Sequence, residues 1–263
     1  MRSRSVLFHP VRPYLTIVLF LILVPIIRAH NYTEEAVMLH SSSGYAVAGV
    51  HYVLEDKPGP AILLLHDIGG DHTQWNGYLD ILERAGINSV LAIDLRGHGD
   101  SDLRVTPGSV TPDSQKVNWR DFSEGDFADL VGDFQVAWDY LRTARATDST
   151  RMAVMGSVAG ANYAAVFSAD NPEVRSLVLL SPGVVYRGVE SLKAIQAYGQ
   201  RPVLFAASKE DRYSAGSCRT LKENSDGRPA HLEILEGSGR GVDLIDYNPG
   251  FKHFLSDWFR STL

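Results

Sequence analysis

The sequence predicts a mostly parallel α/β sheet with helices on both faces, and two features of the chain indicate this fold class. Short, continuous apolar runs recur, such as AILLLH at 61–66 and SVLAIDL at 89–95, as expected for strands that are covered on both faces. Stretches with helical periodicity lie between these runs. Because strands that alternate with helices form a parallel sheet, we expect about eight strands in one twisted sheet.

The first half of the chain predicts four strands and two helices. Two strands, over 36–41 and 45–54, precede the two apolar runs just named. A helix over 71–85 joins these runs, and a polar loop follows the second run. A long amphipathic helix is then predicted over 126–145, because its apolar residues recur at a spacing of three or four: Phe127, Leu130, Val131, Phe134, Trp138 and Leu141.

The second half of the chain repeats the alternation. A strand over 151–156 leads directly into a helix over 159–169 that is rich in glycine and alanine. The segment 181–200 is short for an inserted domain, so we expect no large cap over the sheet. The remaining predicted elements are strands over 176–181, 203–208 and 231–235, and a closing helix over 247–260.

Composition excludes several classes of protein. The 263 residues include 44% hydrophobic and 21% charged side chains, which is typical of a globular domain and not of a disordered or polytopic membrane protein. A net charge of −6 without a basic run argues against nucleic acid as a partner. The single cysteine, Cys218, has no internal disulfide partner. No spacing of histidines and acids resembles a zinc signature, so we expect neither a metal nor a cofactor.

The N-terminal residues 1–29 have the pattern of an export segment. Arg2, Arg4 and Arg12 precede the apolar stretch LTIVLFLILVPII at 15–27, as in a secretory signal peptide. A membrane span needs about 20 residues, and this stretch is shorter. A signal anchor stays open as the alternative, because Ile27 and Arg28 make a poor cleavage site after Ala29. Either alternative predicts an extracytoplasmic domain over 30–263, secreted, periplasmic or tethered to the membrane through this segment alone.

Five loops follow predicted strands and carry polar residues or glycines where each strand ends. The carboxyl ends of parallel strands meet at one edge of the sheet, and ligands of such folds bind there. The loops are HDIGG at 66–70, DLRGHGDS at 94–101, GSVAGAN at 156–162, SKEDRY at 208–213 and EGSGRG at 236–241.

Taken together, these five loops resemble the α/β-hydrolase family, and in particular its small lipase-like and dienelactone-hydrolase-like members. The resemblance covers about residues 36–263, and DLRGHGDS after a buried strand is its most specific string. It implies an α/β-hydrolase fold. It also implies acyl transfer by a serine within G-x-S-x-G on a sharp strand-to-helix turn, with an acid and a histidine following in chain order.

The nucleophile position of this resemblance is occupied by valine. Residues 156–160 read G-S-V-A-G, so the centre between the two glycines is Val158, which has no nucleophilic atom. A centre at Ser157 would place the large Met155 where the turn requires a small residue. Ser157 nevertheless stays open as an alternative nucleophile, if the turn is displaced by one residue.

The acid position of the family is kept in this chain, and the histidine position is not. Asp211 matches the acid, whereas Arg240 stands where the family has its histidine, and arginine stays protonated and cannot act as a general base. We expect these two residues to form an ion pair. The resemblance places the oxyanion-hole amides on Ile68 and Ala159. Asp67 stands where the family usually has glycine, and adds negative charge to that site.

The substitutions at positions 158 and 240 predict a catalytically degenerate protein of the hydrolase fold that has a binding role. The N-terminal segment predicts that this protein is exported. We expect its partner to be a small molecule in the former active-site cleft or a protein. The alternative is an active ester or amide hydrolase with a non-standard nucleophile or base, such as Ser157 with His253.

Overall fold

A computed structural model describes residues 30–105, 114–225 and 229–263, so the predicted export segment lies outside the described residues. Twelve strands occur within these ranges: β1 (Thr33–His40), β2 (Ala46–Val53), β3 (Gly59–Leu65), β4 (Ser89–Ile93), β5 (Leu103–Val105), β6 (Ser114–Lys116), β7 (Thr147–Ser157), β8 (Val174–Leu180), β9 (Val185–Tyr186), β10 (Val189–Glu190), β11 (Val203–Ser208) and β12 (Ala230–Leu235).

Eight α-helices connect or flank these strands in the same ranges. They are α1 (Leu79–Ala85), α2 (Glu124–Asp129), α3 (Phe134–Thr143), α4 (Ala159–Asp170), α5 (Ser191–Ala197), α6 (Arg212–Glu223), α7 (Asp243–Tyr247) and α8 (Pro249–Thr262). Three 3-10 helices, at His72–Tyr78, Trp119–Asp121 and Leu130–Asp133, complete the secondary structure.

The central sheet has eight strands in the order β1-β2-β4-β3-β7-β8-β11-β12. β2 pairs antiparallel with β1 and β4, and all other neighbours are parallel. The predicted fold class is therefore confirmed, including the absence of a large cap. Between β8 and β11 the chain forms only the short β9–β10 hairpin and α5.

The core lies on both faces of the sheet. Along β3, Leu63 and Leu65 belong to the cluster packed under α3, α4 and α6. Ile62 and Leu64 belong to the cluster packed under α1 and α8. Because successive side chains of a strand point to opposite faces, a strand covered on both faces must be apolar throughout, as β3 is.

Two predicted helices differ from the observed ones. The single helix predicted over 126–145 is wrong: α2 ends at Asp129, a 3-10 segment follows, and α3 begins at Phe134. This break coincides with Asp133, a buried carboxylate that accepts hydrogen bonds from Arg96 Nε at 2.6 Å and Nη2 at 2.8 Å. The helix predicted over 71–85 begins as a 3-10 helix and becomes α-helical only at Leu79.

The remaining differences concern boundaries. The closing helix starts at Pro249 and not at 247, because proline is favoured in the first turn of a helix and Tyr247 ends α7. The predicted loop after β4 contains the β5–β6 hairpin. Within the described residues, no helix is long and apolar enough to cross a membrane.

Candidate functional site

Val158 occupies the sharp turn between β7 and α4. Its backbone has φ 52° and ψ −106°, a conformation that is a genuine outlier for a β-branched residue. The flanking glycines explain why the turn centres there. A Cβ on Gly156 would lie 2.1 Å from Gly160 O, and one on Gly160 would lie 2.1 Å from Leu65 O. Side chains are therefore excluded two residues before and two residues after Val158. This is the geometry of a nucleophile elbow, but its central residue has no nucleophilic atom.

Ser157, the alternative nucleophile, is the last residue of β7 and is fully buried. Its Oγ has no hydrogen-bond partner among the described residues. It lies so close to Gly241 that a Cβ there would be 2.2 Å away. No histidine in the described ranges therefore forms a hydrogen bond with this hydroxyl, as a general base would.

Asp211 and Arg240 lie together at the carboxyl end of β11, and the expected ion pair is formed. Arg240 Nε is 3.4 Å from Asp211 Oδ2. Asp211 Oδ1 also accepts a hydrogen bond of 3.0 Å from the amide of Ser214, so the same carboxylate caps α6. The Arg240 side chain is 48% exposed and that of Asp211 is 16% exposed.

The two amides expected in the oxyanion hole both donate to a carboxylate of this chain. Asp67 Oδ1 accepts from the amide of Ile68 at 2.7 Å and from that of Ala159 at 3.2 Å. Burial raises the pKa of the Asp67 carboxyl above its ordinary value, whereas these two hydrogen bonds and the guanidinium groups of Arg240 and Arg187 lower it. The sequence predicted extra negative charge at this site. It did not predict that Asp67 Oδ1 accepts hydrogen bonds from both amides.

His66 and His98 lie near this site and are engaged by the backbone. Leu95 N donates to His66 Nε2 at 2.9 Å, so His66 Nδ1 carries the proton and donates to Asp67 O at 2.6 Å. Burial lowers the pKa of His66 to about 4. His98 Nδ1 bonds to Arg96 O at 3.0 Å, and burial also lowers the pKa of His98. Both imidazoles are therefore neutral structural groups near neutral pH.

A cavity of about 550 Å³ lies against the loop that carries Asp67 and the loop that follows β4. The Trp119 indole stacks on the His98 ring, with centroids 5.2 Å apart and an angle of 7° between the planes. Arg120 Cζ lies over the Trp119 ring, 4.6 Å from its centroid. Neither Val158 nor Arg240 lines this cavity. Its lining includes glycines, two aromatic residues, two cations and three carboxylates: Gly69, Gly70, His98, Trp119, Lys116, Arg120, Asp71, Asp102 and Asp121.

Asp71, His72 and Asp94 form a cluster that the sequence analysis missed. Their potential ligand atoms lie within 4.8 Å of one another. Asp94 Oδ1 already accepts hydrogen bonds from His72 N at 2.7 Å and His72 Nδ1 at 2.8 Å, and Asp71 Oδ1 accepts from Thr73 N at 2.9 Å. The two hydrogen bonds from His72 to Asp94 hold the loop after β3 against the loop after β4.

Comparisons with known proteins show which family the chain is similar to. A family model described as "Serine aminopeptidase, S33" matches residues 56–214, a segment that includes Val158 and Asp211 but ends before Arg240. Uncharacterised proteins of Mycobacterium bovis and Mycobacterium tuberculosis are 32% identical to this chain over 133 residues. That match covers 50% of this chain and 31% of the relatives, so the chain matches about a third of their length.

Solved structures share the fold at low sequence identity. An esterase of Pyrococcus furiosus has a TM-score of 0.68 at 14% identity, over 88% of this chain and 91% of its own. A dienelactone hydrolase of Anabaena variabilis has a TM-score of 0.65 at 18% identity, over 89% of this chain and all of its own. The chain therefore belongs to the serine aminopeptidase S33 family, within the α/β-hydrolase superfamily.

Proposed function

We propose that this chain is a non-hydrolytic member of its family and that it binds a ligand at the former active-site edge of the sheet. The observation that carries this proposal is Val158 at the centre of the elbow, with its φ of 52°. Acyl transfer needs an atom there that attacks a carbonyl carbon, and an isopropyl group has none.

The base position supports the same proposal. Arg240 stays protonated and lies 3.4 Å from Asp211. It cannot accept a proton from a hydroxyl or from water near neutral pH. Removing either the serine or the histidine of a serine-protease triad lowers turnover by about 10⁶-fold, and removing both adds little.

The cavity against the loops that follow β3 and β4 is where we propose that a small molecule binds. Its volume of about 550 Å³ is in the range of ligand sites, which is about 300–1,000 Å³. The stacked pair of His98 and Trp119 contributes aromatic groups to the lining of the cavity. Among the charged lining residues, Lys116 pairs with Asp102 at 3.0 Å, and Asp71 and Asp121 add negative charge. Arg120 lies over the Trp119 ring, so we propose a ligand with a planar apolar part and one anionic group that meets Arg120.

Labelling with a fluorophosphonate tests the loss of the nucleophile. This probe forms a covalent bond with activated serines. We expect no labelling of the natural chain and clear labelling of Val158→Ser/Arg240→His, in which a serine and a histidine return to the elbow and to the partner of Asp211. Labelling of the natural chain that disappears in Ser157→Ala would contradict the proposal and establish the alternative hydrolase.

We also propose that residues 1–29 export the domain. The basic residues before the apolar stretch at 15–27 support this. Mass spectrometry of the chain recovered from its native host distinguishes the two forms. A mature N-terminus near residue 30 indicates a cleaved signal peptide, and an intact N-terminus in the membrane fraction indicates an anchor. An intact chain in the cytoplasmic fraction would contradict export.

A further inference from the structure

We propose that the Asp67 carboxylate is a built-in anion, which occupies the oxyanion hole and closes it to external carbonyl and carboxylate oxygens. This inference rests on the proposed function, because an occupied oxyanion hole suits a chain that does not hydrolyse esters. It adds a third barrier to catalysis that is separate from Val158 and Arg240.

The hydrogen bonds to Asp67 converge on a single oxygen. Ile68 N donates to Oδ1 at 2.7 Å, and Ala159 N donates to the same atom at 3.2 Å. Ile68 precedes the first 3-10 helix, whereas Ala159 is the first residue of α4, 92 positions after Asp67. An oxyanion hole consists of two amides that meet at one oxygen in this way.

The charges around Asp67 are those of an anion site. α4 has 12 residues, and the positive end of its dipole lies at Ala159. Arg240 and Arg187 both lower the pKa of the Asp67 carboxyl by their positive charge. Burial outweighs these groups and raises that pKa overall, so the site alone does not favour this carboxylate over water.

What holds the carboxylate in place is its attachment to a fixed backbone. Asp67 N donates to Gln74 Oε1 at 3.1 Å. Asp67 O accepts from His66 Nδ1 at 2.6 Å and from Gly70 N at 3.0 Å. A tethered group has a high effective concentration at its site, so a free anion competes poorly against it.

Removal of the side chain therefore exposes a vacant anion site. In Asp67→Ala, the amides of Ile68 and Ala159 lose their acceptor, and the guanidinium groups of Arg240 and Arg187 lose a neighbouring negative charge. Formate has the same carboxylate group and is small enough to replace the one that was removed. In Asp67→Asn, the side-chain carbonyl still accepts from both amides, so the site stays filled by a neutral group of the same shape.

Formate rescue of thermal stability tests this directly in the full chain. The melting temperatures of the natural chain, Asp67→Ala and Asp67→Asn are measured in sodium formate and in sodium chloride of equal ionic strength. We expect formate to stabilise only Asp67→Ala, by about 2–5 °C at ten times its dissociation constant and with the logarithm of its concentration beyond that. Equal stabilisation of all three proteins, or none of Asp67→Ala, would overturn the inference.

A second measurement keeps the inference testable if Asp67→Ala does not fold. In the natural chain, the amide NMR signals of Ile68 and Ala159 should shift with pH at one common midpoint, and Asp67→Asn should abolish both shifts. Separate midpoints, or shifts that persist in Asp67→Asn, would overturn it. Neither readout involves hydrolysis, so failure here leaves the proposed function standing, and failure of that proposal leaves this result intact.

Discussion

Arg240 Nε lies 3.4 Å from Asp211 Oδ2, and the sequence resemblance assigns these two positions to the general base and to the acid that orients it. The acid is kept and still receives a cationic partner, but this partner cannot exchange a proton near neutral pH. Because Arg240 is 48% exposed, the ion pair is screened by solvent and contributes little to stability. The same carboxylate contributes more as the cap of α6.

We therefore expect substitutions of these two residues to differ in their effect on the free energy of unfolding. Asp211→Ala removes the cap and should cost about 1–2 kcal/mol. Arg240→Ala should cost less than about 1 kcal/mol. Asp211→Asn is the matched control, because its carbonyl can still accept from Ser214. Chemical denaturation measures all three, and an equal loss in the two alanine variants would show that the ion pair matters more than the cap.

Strain at the elbow predicts an unusual result for Val158→Ala. Alanine tolerates a positive φ better than valine does, so the lost packing of the buried side chain is partly offset. Val154 lies in the same strand, is fully buried and has no such strain. Val158→Ala should therefore destabilise the protein by at least about 1 kcal/mol less than Val154→Ala. Equal losses of unfolding free energy would mean that the elbow has relaxed.

The pair of His72 and Asp94 predicts a pH-dependent contribution to stability. The hydrogen bond to the Asp94 carboxylate raises the pKa of His72 above its ordinary value, although burial opposes this. A raised histidine pKa stabilises the fold at low pH, and this contribution is lost as pH rises through the folded pKa.

His72→Asn removes the charge but keeps a donor near the position of Nδ1. The melting temperature of the natural chain should therefore exceed that of His72→Asn by a margin that grows as pH falls from 8 to 5. Thermal melts at a series of pH values measure this margin. A margin that is constant over the range, or that shrinks as pH falls, would contradict the assignment.

The proposed cavity predicts binding of an anionic aromatic probe. We expect 1-anilinonaphthalene-8-sulfonate to bind the folded chain at one site, through stacking on Trp119 and the charge of Arg120. Trp119→Ala should weaken this binding about tenfold, which corresponds to one aromatic contact of about 1.4 kcal/mol. Tyr247→Ala is the control, because Tyr247 is an exposed aromatic residue outside this cavity. Equal binding by both variants in a fluorescence titration would place the probe elsewhere.

The inner strands of the sheet were predictable because they are covered on both faces. Continuous apolar runs predicted β3, β4, β8 and β11, whereas the edge strand β1 is largely exposed and was predicted without such a run. The break between α2 and α3 was not predictable, because the apolar spacing continues through it. The break lies where Asp133 meets Arg96, a contact between residues 37 positions apart.

One part of the candidate site was also predictable from the sequence, and another part was not. The two glycines around Val158 identify the centre of the elbow, because only a crowded turn requires glycine on both sides. The role of Asp67 was not predictable, because a single acidic residue after His66 does not indicate where its carboxylate points. Its two hydrogen bonds depend on where the fold places Ala159.

Hydrolysis of short p-nitrophenyl esters tests the central claim most directly, namely that this hydrolase fold has lost its chemistry at identifiable positions. We expect no turnover above background by the natural full chain. Val158→Ser/Arg240→His should turn over weakly, and addition of Asp67→Gly should raise the rate by about 10²-fold, because oxyanion donors contribute about 10²–10³ to turnover. Turnover by the natural chain that Ser157→Ala abolishes would contradict the claim and identify an active hydrolase.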